Sequence, residues 1–262
     1  VPIALITGAT AGLGAEFARQ LAGAGHDLVL VARDSARLAG AADELGGRYS
    51  VRVDTISADL AGMAGLSEVE TRLAATERPV DLLVNNAGIG LRNAFHRNSI
   101  DDEERLLNLN VRAVMRLTHA VLPPMMERRR GAVLNVSSLA SFGPTAAGSS
   151  YPASKAWVTA FSESLWLSMR RHRIRVMALC PGFVRTEFHQ RAGIGTDGID
   201  DRLWLEADNV VRTGLADLRR GKAVSVPDLR YKVAGGLLRH TPRPVLLRVI
   251  GRTGRQLGRG VD

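Results

Sequence analysis

The stretch Ile3-Ala4-Leu5-Ile6-Thr7-Gly8-Ala9-Thr10-Ala11-Gly12-Leu13-Gly14 decides the fold. Its first part is an unbroken apolar run ending at Thr7, the pattern of a strand covered on both faces. It enters a glycine-punctuated turn, and residues 13–23 have helical periodicity. Glycines in such a turn allow a tight reversal, close backbone approach to a pyrophosphate, and packing of the helix against the strand. The helix start then offers unpaired N–H groups and the positive end of its dipole to a phosphate. A glycine cluster alone could be a simple strand–helix turn; the strand before it and the helix after it give it meaning.

Working outward, short apolar runs alternate with longer helical patterns. Strands are expected at Ile3–Thr7, Asp27–Ala32, Val51–Ser57, Asp81–Asn85, Ala132–Ser137, Arg175–Leu179 and Ala223–Val226. Helices are expected over 13–23, 35–45, 64–77, 103–127, 152–171 and 206–219. Such alternation implies right-handed crossovers and a parallel sheet. The expected fold is α/β: a single Rossmann-type doubly wound domain, with about seven parallel strands and helices on both faces. It should span 1–227 and hold cofactor and catalytic residues, with a short basic C-terminal extension over 228–262 packed on it or flexibly attached.

The chain has 262 residues, 45% hydrophobic and 23% charged, ordinary for a globular protein. No apolar run approaches the roughly 18–20 residues that cross a bilayer. The Val-Pro start has no basic leader, so a cytoplasmic location is expected, and the absence of Met suggests that a little of the N-terminus is missing. A single cysteine, Cys180, allows no internal disulfide and suits a reducing compartment. Six scattered histidines form no ligand pair, so no metal is expected. The net charge of +9 resembles a nucleic-acid signal until it is located. Residues 1–218 balance 24 basic against 24 acidic side chains, whereas 219–262 hold eleven basic ones against Asp228 and Asp262. With Tyr231 its one aromatic residue, this tail lacks the basic–aromatic surface of a nucleic-acid binder.

The second strand ends at Ala32, where an acid would hydrogen-bond an adenosine ribose. Arg33 follows, with Arg37 one helical turn on, and a guanidinium can grip a 2′-phosphate bidentately. NADP(H) is therefore expected over NAD(H); the alternative leaves Arg33 solvated and gives the ribose to Asp34. Tyr151 and Lys155, four apart, share one face of a helix. A phenol titrates near about 10, and a neighbouring ammonium should lower that value toward the range of general acid–base catalysis.

The order Gly8-x-x-x-Gly12-x-Gly14, Asp59, Asn85-Asn86-Ala87-Gly88, Asn110, Ser138, Tyr151-x-x-x-Lys155 and Pro181-Gly182 resembles the short-chain dehydrogenase/reductase family, from Ile3 to about Thr186. The resemblance implies that Gly8, Thr10, Ala11, Gly12, Leu13, Gly14 and Arg33 bind the cofactor. Asp59 would receive the adenine amino group, with Leu60 supplying backbone. Asn85 would steady the sheet, while Asn86, Ala87 and Gly88 lie along the cofactor. Pro181, Gly182, Val184 and Thr186 would touch its carboxamide and phosphates. The implied catalytic set is Asn110, Ser138, Tyr151 and Lys155. Tyr151 exchanges the proton, Lys155 also holds the nicotinamide ribose, Ser138 holds the substrate oxygen, and the Asn110 main-chain carbonyl holds a water. Ser137 competes with Ser138 for its role; the spacing to Tyr151 favours Ser138.

The expected activity is NADP(H)-dependent interconversion of a mostly apolar carbonyl compound and its alcohol. The alternative is a non-catalytic NADP(H)-binding sensor of the same fold. The loops Ile89–Phe95, Leu139–Ser150 and Phe183–Leu205 should wall the substrate with Phe95, Phe142, Phe183, Phe188, Leu203 and Trp204. Gly193, Gly195 and Gly198 make the last loop a candidate lid. The family resemblance also implies a homodimer or homotetramer paired through the 103–127 and 152–171 helices. In the tail, a helix from Pro244 would set Arg248, Arg252, Arg255 and Arg259 on one face, partly opposite Val245, Val249, Ile250 and Leu257. That suits either a solvated basic face or weak contact with an anionic membrane or acidic partner. Pro242–Asp262 should then be removable without loss of catalysis.

Overall fold

In the computed structural model, which describes residues 1–144, 150–193 and 200–256, with side chains as far as Ile250, β1 (Ile3–Thr7) is buried along its whole length. Alternate residues serve two cores. Ala4 and Ile6 join a cluster with Phe17 and Leu21 of α1 (Gly12–Gly23) and Val211 and Leu215 of α8 (Ala207–Arg219). Ile3 and Leu5 point the other way, toward Leu66, Val69 and Leu73 of α3 (Met63–Ala74) and Leu117, Val121 and Met125 of α5 (Val114–Arg128). Side chains alternate across a strand, so a strand with helices on both sides must be apolar at every position. Each fully buried aliphatic or aromatic side chain contributes about 1.5–3 kcal/mol.

The other strands are β2 (Asp27–Ala32), β3 (Val53–Ser57), β4 (Leu82–Asn85), β5 (Gly131–Val136), β6 (Ile174–Leu179) and β7 (Val224–Ser225). They lie in the order β3-β2-β1-β4-β5-β6-β7, and every neighbouring pair is parallel. The chain winds outward from β1 to β3, then returns to the far side of β1 at β4. This reversal opens a crevice at the carboxyl ends of β1 and β4. The expected doubly wound seven-strand sheet is therefore present, with strand ends within about two residues of expectation.

Three helices differ from expectation. α3 stops at Ala74 rather than at 77. α2 (Ser35–Tyr49) runs beyond 45, because Gly46 and Gly47 do not stop it; the left-handed Ser50 (φ 54) does, its N–H on the Gly46 carbonyl at 3.0 Å. The stretch 103–127 is not one regular helix. α4 (Ile100–Leu107) passes into a π-helical segment, Asn108–Ala113, before α5 begins. Inside that wider turn, Asn110 is fully buried, accepts from the Ile89 N–H at 3.0 Å and donates to the Ile89 carbonyl at 2.9 Å. Such side-chain demands accompany π-bulges at functional places.

Between the layers runs a buried polar ladder. The Asn85 amide donates to Thr118 Oγ1 at 3.1 Å and Asn135 Oδ1 at 2.9 Å, and Asn135 donates to Ser162 Oγ of α6 (Ser150–Met169) at 2.9 Å. Beyond the sheet come α9 (Leu229–His240) and α10 (Arg243–Gln256). α10 inserts Leu246, 5% exposed, whereas Val245 and Val249 face outward, which corrects the apolar face expected there. The side chains of Arg252 and Arg255, and all of Leu257 and Arg259, lie outside the described residues. Among the described residues, no helix is long and apolar enough to cross a membrane, and no group of His, Cys, Asp and Glu is arranged to hold a metal.

Candidate active site

At the carboxyl edge of the sheet lies a cleft of about 930 Å³. Its floor is the turn between β1 and α1, where Gly8 (φ 65) and Gly12 (φ 52) occupy the left-handed region that favours glycine. Gly14 is needed for another reason: a Cβ there would lie 2.1 Å from the Gly8 carbonyl oxygen. Thr7 Oγ1 receives the N–H groups of Asn86 and Ala87, both at 2.9 Å, and Asn86 Nδ2 donates to the Thr7 carbonyl at 2.8 Å. The end of β4 is thereby stitched to the glycine turn. A floor that excludes side chains and opens into a cleft of this size fits a dinucleotide pressed against backbone.

Of the expected cofactor residues, Gly8, Ala11, Gly12, Leu13, Asn86, Ala87, Gly88, Pro181, Gly182, Val184 and Thr186 line this cleft. Thr10, Gly14, Arg33, Asp59 and Leu60 do not. Gly14 packs beneath the turn, Leu60 is buried, and Arg33 is exposed beyond β2. Thr10 offers its carbonyl to Arg37 Nη2 at 2.8 Å. The Asp34 carboxylate accepts from the Arg37 N–H at 3.0 Å, capping α2. Asp59 accepts from the Ala61 N–H at 3.1 Å and from Arg105 at 2.8 Å. Burial raises the Asp59 pKa, but Arg105 and the Ala61 N–H outweigh it and leave the carboxyl below its usual range. An adenine amino group would have to share that carboxylate.

At the opposite end stand the four expected catalytic residues. Ser138 and Tyr151 are within hydrogen-bonding reach of each other, and Ser138 Oγ also accepts from the Ala140 N–H at 3.1 Å. The competing Ser137 is buried, with its hydroxyl engaged by the Lys155 carbonyl at 2.8 Å and Thr159 Oγ1 at 2.7 Å. Lys155 Nζ donates to the Val136 carbonyl at 2.9 Å and lies 5.8 Å from the centre of the Tyr151 ring. Asn110 lies behind the cleft wall; a Cβ at Gly88 would be 3.1 Å from Asn110 Oδ1 and 3.4 Å from Lys155 Nζ, so the three sit together.

The electrostatics depart from expectation. Burial pushes the Tyr151 phenol up to about 12, with only the Ser138 hydrogen bond pulling it back. Burial likewise pushes the Lys155 ammonium down to about 8. The anticipated lowering of the phenol is absent because desolvation dominates and Lys155 is turned toward Val136.

Among the six expected substrate-wall residues, Phe183 and Phe188 line the cleft. Trp204 packs behind Phe183 at 5.7 Å between ring centres, and Phe142 is buried under α9, where a Cβ at Gly235 would meet it at 2.9 Å. Phe95 is exposed and Leu203 lies beside the cleft, offering its carbonyl to Tyr231. Gly195, Gly198 and residues 145–149 lie outside the described residues. Sequence reasoning missed the contribution of the extension: Tyr231 and Leu238 of α9 reach the cleft, and Leu246 of α10 packs beside Gly143. The only signals were one aromatic and a Gly-Gly pair in an otherwise basic segment.

Comparison with known proteins shows the family. The family model "short chain dehydrogenase" matches residues 2–195. Over 188 residues the chain is 40% identical to the NADP-dependent 3-hydroxy acid dehydrogenase YdfG of Salmonella typhi, covering 71% of this chain and 74% of that protein. Among solved structures, a short-chain dehydrogenase from Sphingobium yanoikuyae in complex with NADPH superposes with a TM-score of 0.83 at 36% identity, covering 93% of this chain and 97% of the other. The bulky-bulky ketone specific alcohol dehydrogenase from Comamonas testosteroni gives 0.79 at 32%, covering 93% and 96%. With its glycine turn, its Ser138–Tyr151–Lys155 cluster and these relatives in agreement, the chain belongs to the short chain dehydrogenase family, as an oxidoreductase of alcohol and carbonyl groups.

Proposed function

We propose that this enzyme uses NADP(H) to interconvert a mostly apolar ketone or aldehyde and its alcohol. The observation that carries the reading is the pair of hydroxyls, Ser138 and Tyr151, meeting at one end of a cleft whose floor is the glycine turn. The turn, Asn86–Gly88 and Pro181–Thr186 hold the cofactor, with Arg33 and Arg37 toward its 2′-phosphate; this preference matches the cofactors named for the relatives. When bound, the cofactor supplies or accepts the hydride. Ser138 Oγ orients the substrate oxygen and stabilises charge growing on it. Tyr151 holds the exchanged proton on its phenolic oxygen. Burial pushes this phenol up to about 12, so it carries its proton at neutral pH. Lys155 and Asn110, side by side at Gly88, carry the proton path away from Tyr151. Phe183, Phe188 and Leu238 give the substrate an apolar wall.

The test is a product-analysed panel of ketones and aldehydes with NADPH. Tyr151→Phe should lower kcat by at least about a thousandfold while NADPH still binds; near wild-type turnover would end this mechanism. We also propose a homo-oligomer through α5 and α6, whose outer faces carry Met115, stacked Trp157 and Phe161, and Leu167 at 69% exposure. Light scattering giving the 28.2 kDa chain mass would refute it.

A further inference from the structure

Residues of the stretch Phe183–Arg191 line one side of the cleft, and its base meets Leu205. Leu205 N–H donates to the Phe183 carbonyl at 2.8 Å, Arg185 N–H donates to the Leu205 carbonyl at 3.0 Å, and Val184 bridges Leu205 in parallel. Among the described residues, this short ladder leaves Phe183 N–H and Leu203 C=O without a backbone partner. Tyr231 of α9 supplies both needs. Its phenolic oxygen accepts from Phe183 N–H at 3.3 Å and its hydroxyl donates to the Leu203 carbonyl at 2.6 Å. Tyr231 is 5% exposed and its ring packs against Gly182, where a Cβ would come within 2.1 Å of Cζ.

We infer that Tyr231 is a positioning residue for the substrate: a strut from the C-terminal extension that ties Phe183 to Leu203 at the base of this wall and so sets the place of the Phe183 ring. The inference rests on the reading that this cleft takes a carbonyl substrate. Three features make the role directional. Phe183 itself lines the cleft, its ring packs on His189 and Trp204, and the strut bonds its main chain rather than its side chain. Loss of the hydroxyl therefore moves a wall of the substrate site and leaves the glycine turn untouched. Leu238, one further stretch along α9, lines the same cleft, so the helix holding the strut also supplies wall.

Tyr231→Phe tests this, since it retains the ring on Gly182 and removes only the two hydrogen bonds. With NADPH, and acetophenone and benzophenone as probes, KM for the ketone should rise about five- to tenfold, the loss expected of such bonds. kcat should stay within about twofold, and the NADPH dissociation constant should rise less than KM, because Phe183 lies inside the Pro181–Thr186 stretch. In hydrogen-exchange mass spectrometry without substrate, peptides holding Phe183 and Leu203 should exchange faster while β1 stays protected. An unchanged KM overturns the inference even if exchange quickens, because the strut is then merely structural. Equal loss of NADPH affinity also overturns it. If the wild-type protein reduces no ketone, the proposed function fails, and unchanged exchange in Tyr231→Phe separately disposes of the strut.

Discussion

Substituting alanine for glycine should have opposite signs at two places in this chain. At Gly14, the added carbon would lie 2.1 Å from the Gly8 carbonyl oxygen and 2.6 Å from Asn86 Nδ2. Ordinary contact needs about 3.5 Å, so α1 must withdraw from the turn by roughly an ångström. Overpacking of this kind costs about 1–3 kcal/mol. At about 2–4 °C per kcal/mol for a chain of this size, the melting temperature should fall by roughly 5 °C. The displaced atoms form the cofactor floor, so NADPH affinity should fall by at least about tenfold. At Gly40 and Gly47, exposed on α2, an added carbon meets nothing within 4 Å. There each alanine should add about 0.8–1 kcal/mol through helix propensity and leave NADPH binding alone. Thermal unfolding and a fluorescence titration with NADPH measure both quantities on all three variants. If Gly14→Ala binds NADPH and melts as the wild type does, the account of the floor is wrong.

Other outcomes follow from the same geometry. Arg33→Asp should weaken NADPH by at least about tenfold and NADH far less in steady-state assays; equal loss for both would remove the 2′-phosphate role. Lys155 has its pKa lowered to about 8 by burial, so between there and its ordinary value near 10.5 the unfolded chain binds more protons and stability rises with pH. Lys155→Met should accordingly be more stable than the wild type at pH 7, by about 1–3 kcal/mol. That gap should narrow as pH rises through 8 in urea unfolding, and a constant gap would deny the buried charge. Ending the chain after Thr241 strips Leu246 from Gly143 and should raise KM for bulky ketones several-fold. The free separability expected of Pro242–Asp262 is thereby replaced, and full retention of kcat/KM would restore it.

Much of this molecule was legible because period and punctuation are local properties. An apolar run without alternation means a strand with two covered faces, as β1 proves, and Gly8, Gly12 and Gly14 announce a turn that no Cβ can enter. The cluster of Ser138, Tyr151 and Lys155 was legible through spacing on one strand end and one helix. Less legible was anything decided by solvent exclusion. Whether an ammonium lowers a phenol depends on where its Nζ points, and Lys155 points at Val136. The π-helical turn could not be read because Asn110 is bound by Ile89, 21 residues away. The basic extension looked detachable because its charge dominates its composition; the few apolar side chains that bind it, Tyr231 and Leu246, are a minority there.

The amide ladder at the sheet centre has a bearing on how the chain avoids misalignment. β4 joins two halves, β3-β2-β1 and β5-β6-β7, and Asn85 pairs in register with Asn135. Leu82-Leu83-Val84 and Ala132-Val133-Leu134 are interchangeably apolar, so hydrophobic burial alone would tolerate a slip by two residues, which keeps each face inward. Such a slip would set Asn85 opposite Val133 or Ser137 and strand two buried amides, at about 1–3 kcal/mol each. The amide pair thus acts as a keyed joint, discriminating against a shifted sheet that would otherwise pack nearly as well. Its cost is visible in Asn85 Oδ1, which has no hydrogen-bond partner among the described residues. Alignment at this joint also sets the height of Ser138 above β5 relative to the glycine turn above β1, so the lock that excludes a misfolded sheet fixes the distance between the two ends of the cleft.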